Sequence, residues 1–114
     1  MPRELLGEVE HLVLLALLRL GPQYGVPILD EIAARTGRKP SRAAVYIALQ
    51  RLEDKGYVSS RLGEPTAERG GRARRFFTLE PRGLATLRVS RQALLQMWDS
   101  VEHRLEPRPS SRGR

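Results

Sequence analysis

At 114 residues, the chain is long enough for one compact domain with a short appendage and too short for a second independent core. An aromatic content of only 5% places the core on Leu, Val, Ile and Ala, which favours helices over a β-sandwich or barrel. The formal charge of +7 predicts attraction to polyanions, nucleic acid before anionic membrane, and the lack of cysteine excludes disulfides, thiolate metal sites and cysteine nucleophiles.

The first predicted element is an N-terminal helix, because apolar residues recur at helical spacing and neighbouring leucines fill the adjacent rows. We therefore expect this helix to be buried on most of its circumference. Gly21 and Pro22 end it, since glycine caps a helix C-terminus and proline cannot continue the helix. The apolar run at residues 12–18 is shorter than the ~20 residues of a bilayer span, so no membrane anchor is expected. The apolar residues that recur at helical spacing in this first helix are Leu5, Val9, Val13, Ala16, Leu17 and Leu20.

Two further helices follow, joined by a short connector. The second is predicted to begin near Pro27, which suits a first helical turn, and to end at Gly37. Ser41 is predicted to be the N-cap of the third helix, and Gly56 to end that helix in a left-handed conformation. The buried stripe of the third helix is predicted to be Val45, Ala48, Leu49 and Leu52.

A β-hairpin is predicted next, because residues 57–62 and 74–79 are rich in aromatic and β-branched side chains. The stretch between them, residues 63–73, contains Pro65, Gly70 and Gly71 and is predicted to form a long, mobile tip.

The last predicted element is a helix that starts at residues 80–81 and carries a heptad seam with a single interruption, at Arg91. A monomeric three-helix domain with a hairpin does not need an apolar heptad seam on its last helix. We therefore expect this helix to pack against a second copy of the chain. Arg91 either pairs across the interface with an acid such as Glu102 or marks a gap between the helices. The predicted interface residues are Leu84, Leu87, Arg91, Leu94, Trp98, Val101 and Leu105.

Three helices and a hairpin, with a tight connector between the second and third helices, follow the element order of a winged helix-turn-helix. The predicted fold class is therefore mostly α with a small β-hairpin and a C-terminal dimerisation helix. Residues 1–80 are predicted to form a DNA-binding domain, 81–105 the dimerisation helix, and 106–114 a disordered basic tail.

The outward side of the third helix is the first candidate DNA-binding surface, because an α-helix fits the major groove. Gln50 can pair with adenine, and Arg42 can serve guanine or a phosphate. Ala43 can touch a thymine methyl, and Tyr46 can donate to a phosphate. Ser41 begins the segment. The alternative is a solvated helix face with an incidental tyrosine.

The hairpin is the second candidate surface, since basic residues cluster there and no acid occurs from residue 69 through residue 79. Gly70 and Gly71 let the backbone approach a phosphate or enter a narrow minor groove. The alternative is a solvated basic loop. The basic residues are Arg69, Arg72, Arg74 and Arg75.

Tyr24-Gly25, residues 44–57 and residues 71–79 followed by Gly83 together resemble the PadR family of bacterial transcriptional regulators. The resemblance implies a homodimer that binds a palindromic operator in double-stranded DNA and represses a nearby gene until a signal intervenes. A cytoplasmic location is expected because a chain without cysteine is compatible with a reducing compartment. By position, Tyr46 matches the recognition-helix tyrosine of the family, and Arg72 and Arg74 match its wing.

Trp98, the single tryptophan, lies on the predicted seam. It is expected to be a large side chain in the dimer core. The alternative is that the two copies line a cavity for a flat aromatic effector, as in family members that respond to drugs or phenolic acids.

The main rival to a DNA-binding regulator is a winged-helix protein-interaction module without operator specificity. RNA binding is disfavoured because no aromatic platform for stacked bases is evident. An enzyme is disfavoured because no nucleophile-base set, paired carboxylates or phosphate-cradling loop is found. His11 and His103 have no partner at metal-ligand spacing, so neither a metal nor another cofactor is expected.

Overall fold

The computed structural model describes residues 5–64 and 73–107. Within these residues the elements follow the predicted winged-helix order, three helices, a hairpin and a last helix, which confirms the mostly helical fold class. The elements are α1 (Glu8–Leu20), α2 (Gly25–Thr36), α3 (Arg42–Asp54), β1 (Val58–Leu62), β2 (Arg75–Leu79), α4 (Pro81–Trp98) and a short 3₁₀ helix (Glu102–Leu105).

Helix α1 lies at the centre of the fold and contacts α2, α3, α4 and β2. It begins later than the apolar pattern suggests, because the Glu10 carboxylate accepts a hydrogen bond from the Gly7 N–H (3.1 Å) and leaves Leu5 outside the helix. Every residue from Val9 to Leu17 is buried or partly buried, and at 100° per residue this stretch covers all sides of a helix, so the expected burial of most of the circumference is confirmed. Only the two ends of the helix are exposed, with Leu18 at 51%.

The end of α3 follows the predicted left-handed cap. Gly56 has a φ of 80°, a conformation that glycine adopts without a Cβ penalty. Its N–H bonds to the Glu53 carbonyl (2.9 Å), and the Tyr57 N–H bonds to the Leu52 carbonyl (2.9 Å). This pair of bonds is a Schellman motif, which satisfies two terminal carbonyls and turns the chain into β1.

The hairpin pairs β1 with β2 in antiparallel register, from Val58 opposite Leu79 to Leu62 opposite Arg75. Val58 and Phe77 are buried, while Arg61 and Leu62 are exposed. One face of the hairpin therefore joins the core, and its far end extends into solvent.

Helix α4 differs from the prediction in its length. It ends at Trp98 rather than continuing to Leu105, and Ser100 takes a positive φ of 68°. Asp99 and Ser100 have side chains that compete for backbone hydrogen bonds, which weakens a helix at that point. Val101 and Leu105 consequently do not continue the seam of α4.

The first half of α4 packs on α1 of the same chain. Leu87 is only 4% exposed, so the expectation that it contacts a partner is wrong. Ser90 is 1% exposed, and its Oγ lies 3.1 Å from Nδ1 of His11, which gives the buried hydroxyl a hydrogen-bond partner. Burial also lowers the pKa of His11, which favours the neutral form of the imidazole. The role of His11 in this fold is to hold α4 against α1.

None of the helices in the part of the chain that the structure describes is long and apolar enough to cross a membrane.

Candidate nucleic-acid interface

Helix α3 starts where the sequence predicts. The Ser41 hydroxyl oxygen accepts a hydrogen bond from the Ala44 N–H at 3.0 Å, which satisfies one of the unpaired donors of the first turn. Ser41 itself is exposed, so the cap lies at the surface of the fold.

The orientation of α3 follows from its buried stripe. The four stripe residues are at most 4% exposed, so the opposite side of the helix must face solvent. The structure therefore brings four predicted DNA-binding residues together on one exposed surface: Arg42, Ala43, Tyr46 and Gln50. The same surface also carries Ile47, Arg51 and Asp54.

Tyr46 is 44% exposed, and its phenol lies over the start of α2. A Cβ on the buried Gly25 would overlap Oη, Cζ and Cε1 of this tyrosine, so the ring reaches its position only because residue 25 has no side chain. The tyrosine hydroxyl is thus held near the N-terminus of α2, where backbone N–H groups favour anions.

The hairpin is fixed to the helix-turn-helix by a backbone connection. Gln23, just before α2, pairs with Phe77 of β2 through an isolated antiparallel bridge. The Gln23 N–H donates to the Phe77 carbonyl (3.1 Å), and the Phe77 N–H donates to the Gln23 carbonyl (2.8 Å). Because these bonds join β2 to the residues that lead into α2, the base of the hairpin has a defined position beside α3.

Aromatic and cationic side chains reinforce this connection. The Tyr24 and Phe76 rings meet edge to face with centroids 5.5 Å apart. The Arg74 guanidinium lies 4.6 Å from the Tyr24 ring centroid, and that of Arg61 lies 5.7 Å from the Phe76 ring centroid. Such contacts contribute about 0.5–1 kcal/mol each at exposed sites, and they leave the guanidinium N–H groups able to bind phosphate.

Of the predicted arginines of the hairpin, Arg74 and Arg75 are exposed at its far end, where β2 begins. Nη1 of Arg75 donates to the Ser60 hydroxyl at 2.9 Å, so this arginine also bridges the two strands. Arg69, Arg72 and the glycine pair at residues 70–71 lie outside the described residues.

Sequence reasoning predicted Arg74 but missed two other residues of this surface, Tyr24 and Ile47. Tyr24 and Arg74 are far apart in the chain, and no local pattern indicates that they stack. Ile47 was overlooked because an isoleucine in an amphipathic helix is ordinarily assigned to the core, although at 100° per residue it lies only about 40° from Ala43, on the exposed side.

The predicted interface residues of the C-terminal region fall into two groups. Leu84 is partly buried and Leu87 fully buried within the chain, so the first half of the seam serves the chain's own core. The second group is exposed: Arg91, Leu94, Trp98, Val101 and Leu105.

Comparison with known proteins gives a consistent result. A family model described as the transcriptional regulator PadR-like family matches residues 14–89. No curated protein matches the chain.

Several solved structures share the fold. A transcriptional regulator from Clostridium thermocellum superposes with a TM-score of 0.73 at 22% identity, over 86% of this chain and 93% of that one. A PadR family transcription regulator from Clostridium difficile R20291 gives a TM-score of 0.70 at 20% identity, over 88% of this chain and 100% of that one. A PadR family transcriptional regulator from Eggerthella lenta gives 0.66 at 27% identity, over 83% and 81% of the two chains.

Proposed function

Because the chain belongs to the PadR-like family of transcriptional regulators, we propose that it binds a palindromic operator in double-stranded DNA as a homodimer and represses a nearby gene. Membership also confirms that the chain is a regulator and not an enzyme. The observation that supports the proposal most strongly is the exposed polar side of α3 beside an arginine-bearing hairpin whose base is fixed by the Gln23–Phe77 bridge.

In this proposal, α3 lies in the major groove and contacts base edges. Gln50 has an amide that matches adenine, and Arg42, at the first position of the helix, is placed for guanine or a phosphate. Ser41 and Ala43 approach the groove from the same helix start. Tyr46 donates a hydrogen bond from its hydroxyl to a phosphate, aided by the adjacent N-terminus of α2.

The hairpin contacts the DNA backbone or the adjoining minor groove. Arg74 is held against Tyr24, so its guanidinium loses little conformational entropy when it binds a phosphate. Arg69 and Arg72 carry the same charge nearby in the sequence and are proposed to act with it.

The C-terminal region provides the contact between the two copies. Leu94 is 48% exposed and Trp98 is 40% exposed, and both continue the side of α4 that is buried against α1 in the first half of the helix. This apolar stripe extends past the core of its own chain, and a second copy of the chain would bury the exposed part.

We further propose that the protein binds a planar aromatic effector. The two Trp98 side chains of a dimer would form its binding surface. Because the chain has a single tryptophan, ligand binding should quench its fluorescence without interference from other indoles. We expect saturable quenching by at least one compound in a panel of planar aromatics. If no compound in a broad panel quenches the emission, Trp98 is a dimer-core residue only.

The role of the hairpin is tested by the salt dependence of DNA binding. Arg72→Ala and Arg74→Ala should each weaken duplex binding for all sequences and reduce the salt slope by about one unit, because each removes one phosphate contact. Arg88→Ala is the matched control, since it removes the same charge from the exposed side of α4, which packs mainly against α1.

Fluorescence anisotropy measures the affinity for duplexes from about 50 to about 200 mM salt. The salt dependence of this affinity separates the two candidate functions. A protein-interaction module would bind duplexes weakly, and its salt slope would respond equally to Arg74→Ala and to Arg88→Ala. That result would contradict the proposal.

A further inference from the structure

The centre of the exposed side of α3 carries a stripe of four residues that differ in chemistry: Ala43, Ile47, Gln50 and Asp54. At 100° per residue they fall within a sector of about 60°, directly opposite the buried stripe. Tyr46 lies to one side of this sector and Arg51 to the other. If α3 enters the major groove as proposed, these four side chains are the ones that point most directly at the base edges.

Ile47 is 52% exposed in the middle of this stripe. A single exposed apolar residue needs no explanation on most surfaces. This isoleucine, however, lies on the face proposed to meet base edges, one turn along the helix from Ala43 and about one turn before Gln50. The apolar group that the major groove presents is the C5-methyl of thymine, so a branched side chain here has one matching feature on DNA.

Gln50 and Asp54 form a pair one turn apart. The Gln50 Nε2 donates a hydrogen bond to Asp54 Oδ1 at 3.0 Å. This bond uses one of the two amide hydrogens, and it leaves the other hydrogen and the Oε1 acceptor for DNA. If the amide turned over, its oxygen would face the carboxylate and be repelled, so Asp54 fixes which end of the amide is the donor.

A fixed amide favours one base. Adenine needs a donor for its N7 and an acceptor for its N6 amino group, which is the pair of functions that Gln50 retains. Together with the methyl preference of Ile47, this arrangement favours A·T over G·C pairs.

We propose that Ile47 and Gln50 are specificity-determining residues that read neighbouring A·T base pairs in each half-site, and that Asp54 is a positioning residue for the Gln50 amide. The inference rests on the proposed function, because it assumes that α3 enters the major groove.

The test uses the full chain and duplexes that it selects from a randomised pool. Each thymine is replaced in turn by uracil, which removes only the methyl group, and each adenine by 7-deazaadenine, which removes only N7. We expect the native chain to lose about fourfold in affinity at one thymine of each half-site, the value for one buried methyl-sized group. At one adenine it should lose about tenfold.

Two variants assign these losses to side chains. Ile47→Ala should bind thymine and uracil duplexes equally and keep its adenine dependence. Its folding should persist, because residue 47 is half exposed and alanine has the higher helix propensity. Asp54→Ala should reduce the 7-deazaadenine penalty by about threefold, as expected if a hydrogen bond of this kind is lost, with no change in the thymine dependence.

Asp30→Ala is the control for Asp54→Ala, because it removes an exposed acid from α2. It should change overall affinity through charge alone and leave both base penalties intact.

A native chain that binds selected duplexes but ignores both replacements would overturn this inference while the proposed function stands. Retention of the uracil penalty by Ile47→Ala, or of the full 7-deazaadenine penalty by Asp54→Ala, would overturn the assignment of that residue. Failure of the native chain to bind any duplex would overturn the proposed function as well.

Discussion

Gly83→Ala should destabilise the protein by about 2 kcal/mol, within the range for overpacked sites, and lower its Tm by roughly 10 °C. A Cβ at residue 83 would overlap the Tyr57 carbonyl oxygen and lie 3.0 Å from Cδ1 of Leu79. The carbonyl cannot yield easily, because it accepts a hydrogen bond from the Glu80 N–H at 3.0 Å. Helix α4 would have to move away from the end of α3.

The expected loss is net of an opposing effect. Alanine is favoured over glycine by about 0.5–1 kcal/mol in a helix interior, so a helix without the overlap would become more stable. The measurement is urea unfolding of both proteins followed by circular dichroism. A variant as stable as the native chain, or more stable, would show that α4 does not approach Tyr57 this closely.

Gly25→Ala is the matched control, because it introduces the same methyl group into the first turn of α2. There the obstacle is the end of the half-exposed Tyr46 side chain, which can move. We therefore expect a stability change below about 1 kcal/mol but a drop in operator affinity, because the displaced hydroxyl could no longer make the proposed contact with a phosphate. The two glycines thus separate a packing role from a binding role.

Leu94→Glu should produce the largest functional effect, by converting the proposed dimer to a monomer. Leu94 is 48% exposed in the described chain and lies on the same side of α4 as the buried Leu87. Covering a charged residue in an apolar interface costs several kcal/mol unless the charge is paired. Operator affinity should then fall by at least about 100-fold, because binding at two linked half-sites becomes binding at one.

Gln96→Glu is the matched control for charge, since residue 96 lies on the far side of α4 from Leu94. It should remain dimeric and bind the operator as the native chain does. Light scattering after gel filtration gives the mass of each variant, and circular dichroism shows whether its helices persist. A Leu94→Glu chain that is folded, dimeric and fully active would contradict the placement of the interface on this half of α4.

Local signals in the sequence predict the helix-turn-helix well. Ser41 caps α3 through a bond to a residue three positions away, and Gly56 ends it through bonds within five residues. Such contacts depend on residue types at short, fixed spacing. The buried stripe of α3 was predicted correctly for the same reason, since a helix of known period has one core-facing side.

The C-terminal region was predicted less well, and the reason is physical. A heptad spacing shows that one side of a helix is apolar. It does not indicate whether that side packs against the same chain or against a second copy. Leu87 packs on α1 of its own chain, whereas Leu94 and Trp98 extend beyond that core. The end of α4 was missed because Asp99 and Ser100 interrupt the helix without a glycine or proline to mark it.

The connections that fix the hairpin could not be predicted at all. Gln23 bonds to Phe77, and Tyr24 packs against Arg74 and Phe76, across about half the chain. These contacts depend on the tertiary fold. They are also the contacts that place the basic residues of the hairpin beside α3.

The most direct test of the account is a footprint of the native chain on a duplex selected from a randomised pool, at low ionic strength. The account predicts two symmetric protected patches in the major groove, centred about one helical turn, roughly 34 Å, apart or a multiple of that distance. Each patch should be flanked by protection of the backbone where the hairpin lies. A chain that remains monomeric and protects no sequence, or protects all sequences equally, would contradict the central claim that α3 reads DNA on a twofold scaffold.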